Sequence, residues 1–295
     1  MRVGFVLMPS DPWPTTVATA RHLDEAGADH LWVYDHLSWR HYRDLPWHAT
    51  YPWLTGVAAV TERIRLGTMV SNLNVRHPVT LAKDAMTIDH ISDGRLMIGL
   101  GAAGLGFDAT VLGQAELSPG QRMDRLVEAT GVIDGLLRGS LTDHTGDWYT
   151  VDDARMLPGC VQRPRLPLGV AASGPRGLRL AAEVADAWIT IGDPTDPDRS
   201  VAAADRALAR QRETLDQACA DVGRDPTTID RILLTGHTDE RPLASVDAFD
   251  DCVGRHADLG FTDLVFHHPR DDDPVWNEPP EIVDAVLARH AASTP

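Results

Sequence analysis

Positive charge is scarce in this sequence: 27 lysines and arginines face 43 aspartates and glutamates, a formal net charge of −16. Proteins that track nucleic-acid phosphates carry basic patches, so nucleic acid is not an expected partner. Cysteine is scarce too. Cys160, Cys219 and Cys252 are widely spaced and odd in number, framing neither a disulfide scaffold nor a zinc knuckle; buried free thiols are the expectation. No stretch approaches the roughly 18 consecutive apolar residues of a membrane span. The N-terminal MRVGFVLMP has one arginine and then a short β-rich run, without the longer apolar core and small-residue cleavage site of a signal peptide. A cytoplasmic location with no membrane partner is expected. Linker composition, internal repeats and low-complexity tracts are also missing.

What the chain does have is 295 residues, 43% of them hydrophobic, enough for one barrel-sized core or two smaller ones. Short β-rich runs alternate with longer helical patterns from end to end, the mark of a parallel sheet. The expected strands are 3–8, 30–34, 65–70, 95–100, 166–171, 187–191, 229–235 and 262–266; the helical stretches lie near 15–26, 78–91, 119–138, 176–185, 197–222, 245–259 and 279–292. Eight strands, each followed by a helix, favour an α/β fold of one (β/α)8 barrel spanning 1–295 over an open doubly wound sheet. In such a barrel the loops after strands build the active site. The long aromatic connection 35–53 follows the second strand, so it belongs to that face. The insertion 139–165 follows a helix and is expected to pack as a structural hairpin.

Three constellations could carry chemistry. The second strand runs into Asp35-His36, and a histidine at a strand tip exchanges protons near neutral pH, with a neighbouring carboxylate to orient it. An Asp that merely caps the next segment is the plain alternative. Gly99 and Gly101, in SDGRLMIGLG, would let something flat approach the backbone of the fourth strand. The fifth strand ends in Ala171-Ala172-Ser173-Gly174 before Pro175 opens a helix. Free backbone N–H groups and the helix dipole make that turn an anion site, with Arg176 and Arg179 in its first turn, or else an ordinary N-cap. His36, His77, His90, His267 and His268 would be available to a metal-dependent barrel hydrolase. No His-X-His stands at the first strand, however, and no lysine ends the fourth, so no metal is expected. The tract HHPRDDDP, 267–274, reads as a solvated loop after the last strand.

The segments WVYDH (32–36), RIRLGTMV (63–70), RHPVTLAKDAMTIDHISDGRLMIGLG (76–101), QRMDRLVEATGVIDGLL (121–137) and VAASGPRGLRLAAEVADAWIT (170–190) resemble, in order and over nearly the whole chain, the luciferase-like flavin and deazaflavin oxidoreductases. The Asp-His pair resembles the branch that uses coenzyme F420 rather than FMN. That resemblance implies a (β/α)8 barrel transferring hydride between C5 of the deazaflavin and a substrate. It would set Asp35 and His36 beside the reactive edge of the ring, with His36 placing the proton. Met69-Val70 matches the family's non-proline cis peptide, a bulge behind the ring, and Gly101 and Ala102 would line the ring. Ala172, Ser173, Gly174 and Arg176 would hold the tail phosphate, with Thr190, Ile191 and Gly192 nearby. Trp39, Tyr42, Trp47, Asn72 and Phe107 are the expected substrate contacts.

Two departures bear on the substrate. Sugar-phosphate dehydrogenases of this family carry a glutamate just after the strand-four glycines, whereas this chain reads GLGAAGLGFD, with Asp108 its nearest acid. The family lysine after the sixth strand is Asp193 here. Both argue against a phosphorylated sugar, and the aromatic loop argues for a bulky, partly apolar substrate. The expectation is a reductase carrying hydride from reduced F420 to an activated double bond or imine of a small molecule or a peptide-derived substrate, such as a dehydroamino acid. An F420-dependent alcohol dehydrogenase, an FMN-dependent monooxygenase and a non-catalytic deazaflavin-binding protein stay open, as does a homodimer.

Overall fold

The computed structural model describes residues 1–270 and 273–293. Its first four strands are β1 (Arg2–Leu7), β2 (His30–Val33), β3 (Arg65–Asn72) and β4 (Leu96–Gly101). A small antiparallel hairpin follows, β5 (His144–Thr145) with β6 (Thr150–Val151), and then β7 (Leu168–Ala171), β8 (Ala187–Thr190), β9 (Asp230–Leu234) and β10 (Asp263–His267). All but the hairpin are parallel and close into an eight-stranded barrel, β1 pairing with both β2 and β10. The intervening helices are α1 (Trp13–Ala26), α2 (Thr50–Val60), α3 (Pro78–Ile91), α4 (Phe107–Thr110), α5 (Pro119–Arg138), α6 (Pro175–Val184), α7 (Val201–Asp221), α8 (Val246–Asp258) and α9 (Glu281–Ser293). This is the (β/α)8 barrel that the alternating pattern implies.

Local chemistry sets the boundaries. Helix α5 starts with Pro119 behind a reciprocal cap in which Ser118 and Gln121 satisfy each other's backbone N–H groups, and it stops at Gly139 in the left-handed conformation; each device removes an orphaned group of the helix end. The strands are apolar on both faces because each serves two cores. Val6, Trp32, Met69, Ile189, Ile232 and Val265 fill the barrel interior, while residues such as Phe5, Leu31, Leu66 and Leu264 pack outward under the helices. Full burial of one such side chain contributes about 1.5–3 kcal/mol. The interior is tight at its base, where a Cβ at Gly4 would lie 1.8 Å from His30 Nδ1.

The aromatic connection is shorter than 35–53, because α2 begins at Thr50. Tyr51 and Trp53 are therefore buried helix residues facing the core. The insertion 139–165 contains the β5–β6 hairpin. Cys160, Cys219 and Cys252 are buried free thiols. Among the described residues of 267–274, all but Pro274 are buried or partly buried rather than solvated. His267 ends the strand, buried and stacked on Trp276 with 3.5 Å between centroids, and Asp273 is buried beside Arg270; Asp271 and Asp272 lie outside the described residues. Among the described residues no helix is long and apolar enough to cross a membrane.

Candidate active site

At the C-terminal ends of the strands the barrel opens into a cavity of about 350 Å³, a size suited to small molecules. Tyr34, Asp35 and His36 line it just past β2, with Met69 and Val70 in β3 and Gly101 and Ala102 at β4. Ala172 and Ser173 follow β7, Thr190 and Ile191 stand at the end of β8, and His237 lies past β9. The Met69–Val70 peptide is cis, and the β3–β4 register shifts between Thr68 and Ser71. That bulge turns the two side chains into the cavity. A Cβ at Gly101 would stand 2.5 Å from Val70 Cγ2, so glycine is what lets β4 lie against the bulge.

Asp35 does not orient His36. Its carboxylate, 1% exposed, accepts a forked pair from Arg76, Nε at 3.0 Å and Nη2 at 2.7 Å, and a further bond from the Asn72 N–H at 2.9 Å. Both residues lie past the end of β2 and both line the cavity, but the Asp35 carboxylate is held by Arg76 and the Asn72 N–H, while the His36 ring is held by Asp108. Asp35 thus fastens β2 to the end of β3. Arg76 also lies over the Tyr51 ring, 4.6 Å from its centroid.

The partner of His36 is Asp108, 72 residues away, whose Oδ2 accepts from His36 Nδ1 at 2.6 Å. The carboxylate is held in turn by Asn72 Nδ2 at 2.9 Å and by the Leu37 N–H at 3.2 Å. A carboxylate only accepts, so Nδ1 carries the proton and Nε2 is the nitrogen left for proton exchange. The side chain of His36 is 32% exposed against 6% for Asp108, a fixed pivot behind a reachable ring. Short helix α4 places Asp108; Arg76 opens the turn before α3. Neither signal lies next to the Asp-His pair in sequence.

The aromatic loop divides its work. Trp39 lines the cavity and stacks on His36 at 5.9 Å and 24°. Trp47 and Tyr42 sit behind that layer: Trp47 Nε1 donates to the His36 carbonyl at 2.8 Å, and Tyr42 packs on Trp47 at 5.6 Å. Phe107 is half-exposed under the Arg43 guanidinium. Among the expected substrate contacts, therefore, Trp39 and Asn72 reach the cavity, whereas Tyr42, Trp47 and Phe107 do not line it.

At the other rim, Ser173 lines the cavity and Gly174 is the N-cap of α6. Arg176 turns away to Asp124 at 2.5 Å, and Arg179 pairs with Glu183 one helical turn on. Both arginines lie on the outer face of α6, where helix geometry points them at solvent and at α5. Gly192 does not line the cavity; its N–H donates to Thr190 Oγ1 at 3.0 Å. Asp193 accepts from the Thr195 N–H and hydroxyl, and Arg210 of α7 lines a small adjoining pocket together with it and Ser173. His237 is pushed down to about 4 by burial and by the charges of Arg40 and Arg199. Among the described residues no group of three or more His, Cys, Asp or Glu converges on a metal position.

The sequence profile of the luciferase-like monooxygenases matches residues 1–259. The chain is 33% identical to an F420-dependent glucose-6-phosphate dehydrogenase of Beutenbergia cavernae, over 90% of this chain and 91% of that one. It is also 33% identical to the 4-hydroxyprotoasukamycin monooxygenase of Streptomyces nodosus subsp. asukaensis, over 78% of this chain and 61% of the relative. Among solved structures, an F420-dependent secondary alcohol dehydrogenase in complex with an F420-acetone adduct superposes with a TM-score of 0.79, at 17% identity and 97% coverage of both chains. At that identity the likeness is one of fold.

Proposed function

The chain belongs to the luciferase-like monooxygenase family of oxidoreductases, and on that footing we propose that it is an F420-dependent reductase of an activated double bond or imine in a bulky small-molecule or peptide-derived substrate. The observation that carries this reading is the His36–Asp108 pair at the edge of the cavity floored by Met69, Val70 and Gly101. The floor fits a flat ring: it is apolar, and its glycine keeps the bulge in place. Met69, Val70, Gly101 and Ala102 would hold the deazaflavin ring, with Ala172, Ser173 and the Gly174 turn toward its tail. When bound, F420 supplies the hydride chemistry.

The residues of this chain do the rest. Hydride arriving at an acceptor leaves negative charge that a proton must meet, and His36 delivers it from Nε2 in its doubly protonated form. Asp108 holds the ring in that orientation through its bond to Nδ1. Trp39, stacked on His36, keeps water from the exchange. In the oxidative direction the same Nε2 accepts the proton. Asp193, where the family's sugar-phosphate enzymes carry a lysine, argues for a substrate other than a phosphorylated sugar. Fluorescence titration with F420 and with FMN tests the cofactor, followed by single-turnover oxidation of reduced F420 over a panel of enones, imines and dehydroamino acids. Tight F420 binding with turnover is the expected result. Micromolar FMN binding without F420 binding, accompanied by oxygen consumption, moves the protein to the monooxygenases; F420 binding with no turnover on any acceptor makes it a carrier.

A further inference from the structure

Among the described residues, one charge on the cavity wall stands without an ionic partner. Among the described residues that line it, with histidines neutral, Asp35 and Arg40 bear full charges, and Asp35 is already neutralised by the forked Arg76. Arg40 is left over, in a chain whose net charge is −16. Its guanidinium carbon lies over Trp39, 4.5 Å from the ring centroid, and among the described residues it has no hydrogen bond or ion pair. Its backbone adopts φ 48, a left-handed conformation that a non-glycine residue holds at some cost and that gathers at ligand sites. The imidazole of His237 lines the same cavity. Burial, and after it the charge of Arg40, push that ring down to about 4, so near neutral pH it offers one N–H donor without a second charge.

We propose that Arg40 and His237 form a recognition subsite for a carboxylate on the substrate, one Trp39 ring away from the proton-exchanging His36. A planar guanidinium fork matches a carboxylate, and its stacking on Trp39 fixes that fork before the ligand arrives. One arginine without a second cation suits a monoanion. The subsite rests on the hydride-transfer reading of this cavity and deepens it, adding acid to the bulky, partly apolar substrate class.

The probes are trans-cinnamate and trans-cinnamamide, equal in shape and different in charge, titrated by calorimetry into the cofactor-free protein, its Arg40→Gln variant and its His237→Phe variant. Arg40 is exposed, so the glutamine variant should fold as the parent does. The parent should prefer cinnamate by about tenfold or more, as a charge-assisted fork predicts after discounting for solvent. Arg40→Gln should erase the preference, His237→Phe should halve it or more, and added salt should weaken it. Equal binding of the two probes, no cinnamate binding at millimolar concentrations, or a preference that survives in Arg40→Gln would overturn the subsite. So would a loss of F420 affinity in Arg40→Gln with probe discrimination intact, which would give the arginine to the cofactor's anionic tail. Because the probes are read without cofactor, a parent that discriminates them yet binds no F420 would support the subsite while removing the F420 reading.

Discussion

Replacing Asp108 with asparagine tests the centre of the proposed chemistry without removing the group that exchanges the proton. The carboxylate accepts three bonds, two on Oδ2 from His36 Nδ1 and Asn72 Nδ2 and one on Oδ1 from the Leu37 N–H. An amide has one oxygen. If that oxygen faces His36 and Asn72, the new NH₂ meets the Leu37 N–H, donor against donor; if it faces Leu37, His36 loses its acceptor. Either way the ring loses a charged partner. A hydrogen bond to a charged group is worth about 1.5–3 kcal/mol, which converts to about 10- to 150-fold in rate. Stopped-flow oxidation of bound, reduced F420 at saturating acceptor isolates the chemical step. Asp108→Asn should slow it on that scale and leave F420 affinity within about threefold, since none of the proposed ring or tail contacts is touched. His36→Ala should cost more, about 10²–10⁴-fold, as a lost general acid does. Should Asp108→Asn run at the parent rate while His36→Ala is crippled, the carboxylate would be a scaffold and not an orienting group. A rate within about threefold of the parent in His36→Ala, set against that expected loss, would remove the histidine from the mechanism, and Tyr34 in the cavity wall would become the next donor to test.

Three further outcomes follow from the geometry. Asp35→Asn should destabilise the fold, because it strands the mostly buried Arg76, whose side chain is 17% exposed; the loss should approach the lower end of the about 3–5 kcal/mol seen when a buried pair is broken, and an unchanged melting temperature would refute the latch. Gly174→Asp should fold normally, since a Cβ there meets nothing within 4 Å and the backbone, φ −104, suits an aspartate N-cap. It should still weaken F420 by roughly tenfold through like-charge repulsion at the tail, and undiminished affinity would take that turn out of the cofactor site. His268 is held down to about 4 by burial, so from its ordinary value near 6.5 down to about 4 the unfolded chain binds the extra proton. Stability should therefore fall on acidification through that window, by up to about 1.4 kcal/mol per pH unit, and a flat series of urea midpoints there would contradict the burial.

The barrel was legible because its strands are short apolar runs set between helices with clear stops. Pro78 and the Ser118–Gln121 cap put two helix starts on their observed residues. Helix α2 was not legible: Tyr51, Pro52 and Trp53 read as the tail of an aromatic loop, though Pro is at home in a first helical turn and the aromatics face the core. At the site, the Asp-His pair was found and its internal relation was not. Asp108 joins His36 only through a four-residue helix after β4, and Arg76 joins Asp35 only because β3 lies beside β2. Spacing along a chain carries neither contact. Arg176 illustrates the converse: a cation near a helix N-terminus in sequence can lie on the helix's outer face, where an acid of the preceding helix, Asp124 of α5, takes it.

Two acids at the mouth of this barrel therefore serve opposite ends. Asp35 is spent on Arg76, and the pair contributes no net charge to the cavity; it braces β2 against the bulge that shapes the floor. Asp108 stands outside the cavity wall, and its charge acts there through the ring of His36. Had the two been exchanged, a carboxylate would face any anionic acceptor at the point where hydride adds negative charge, raising the barrier it should lower. The observed arrangement leaves the His36 imidazole and the Arg40 guanidinium both packed against Trp39. Under the proposed reduction, an acceptor whose charge grows would meet the Nε2 proton of His36 and the guanidinium of Arg40.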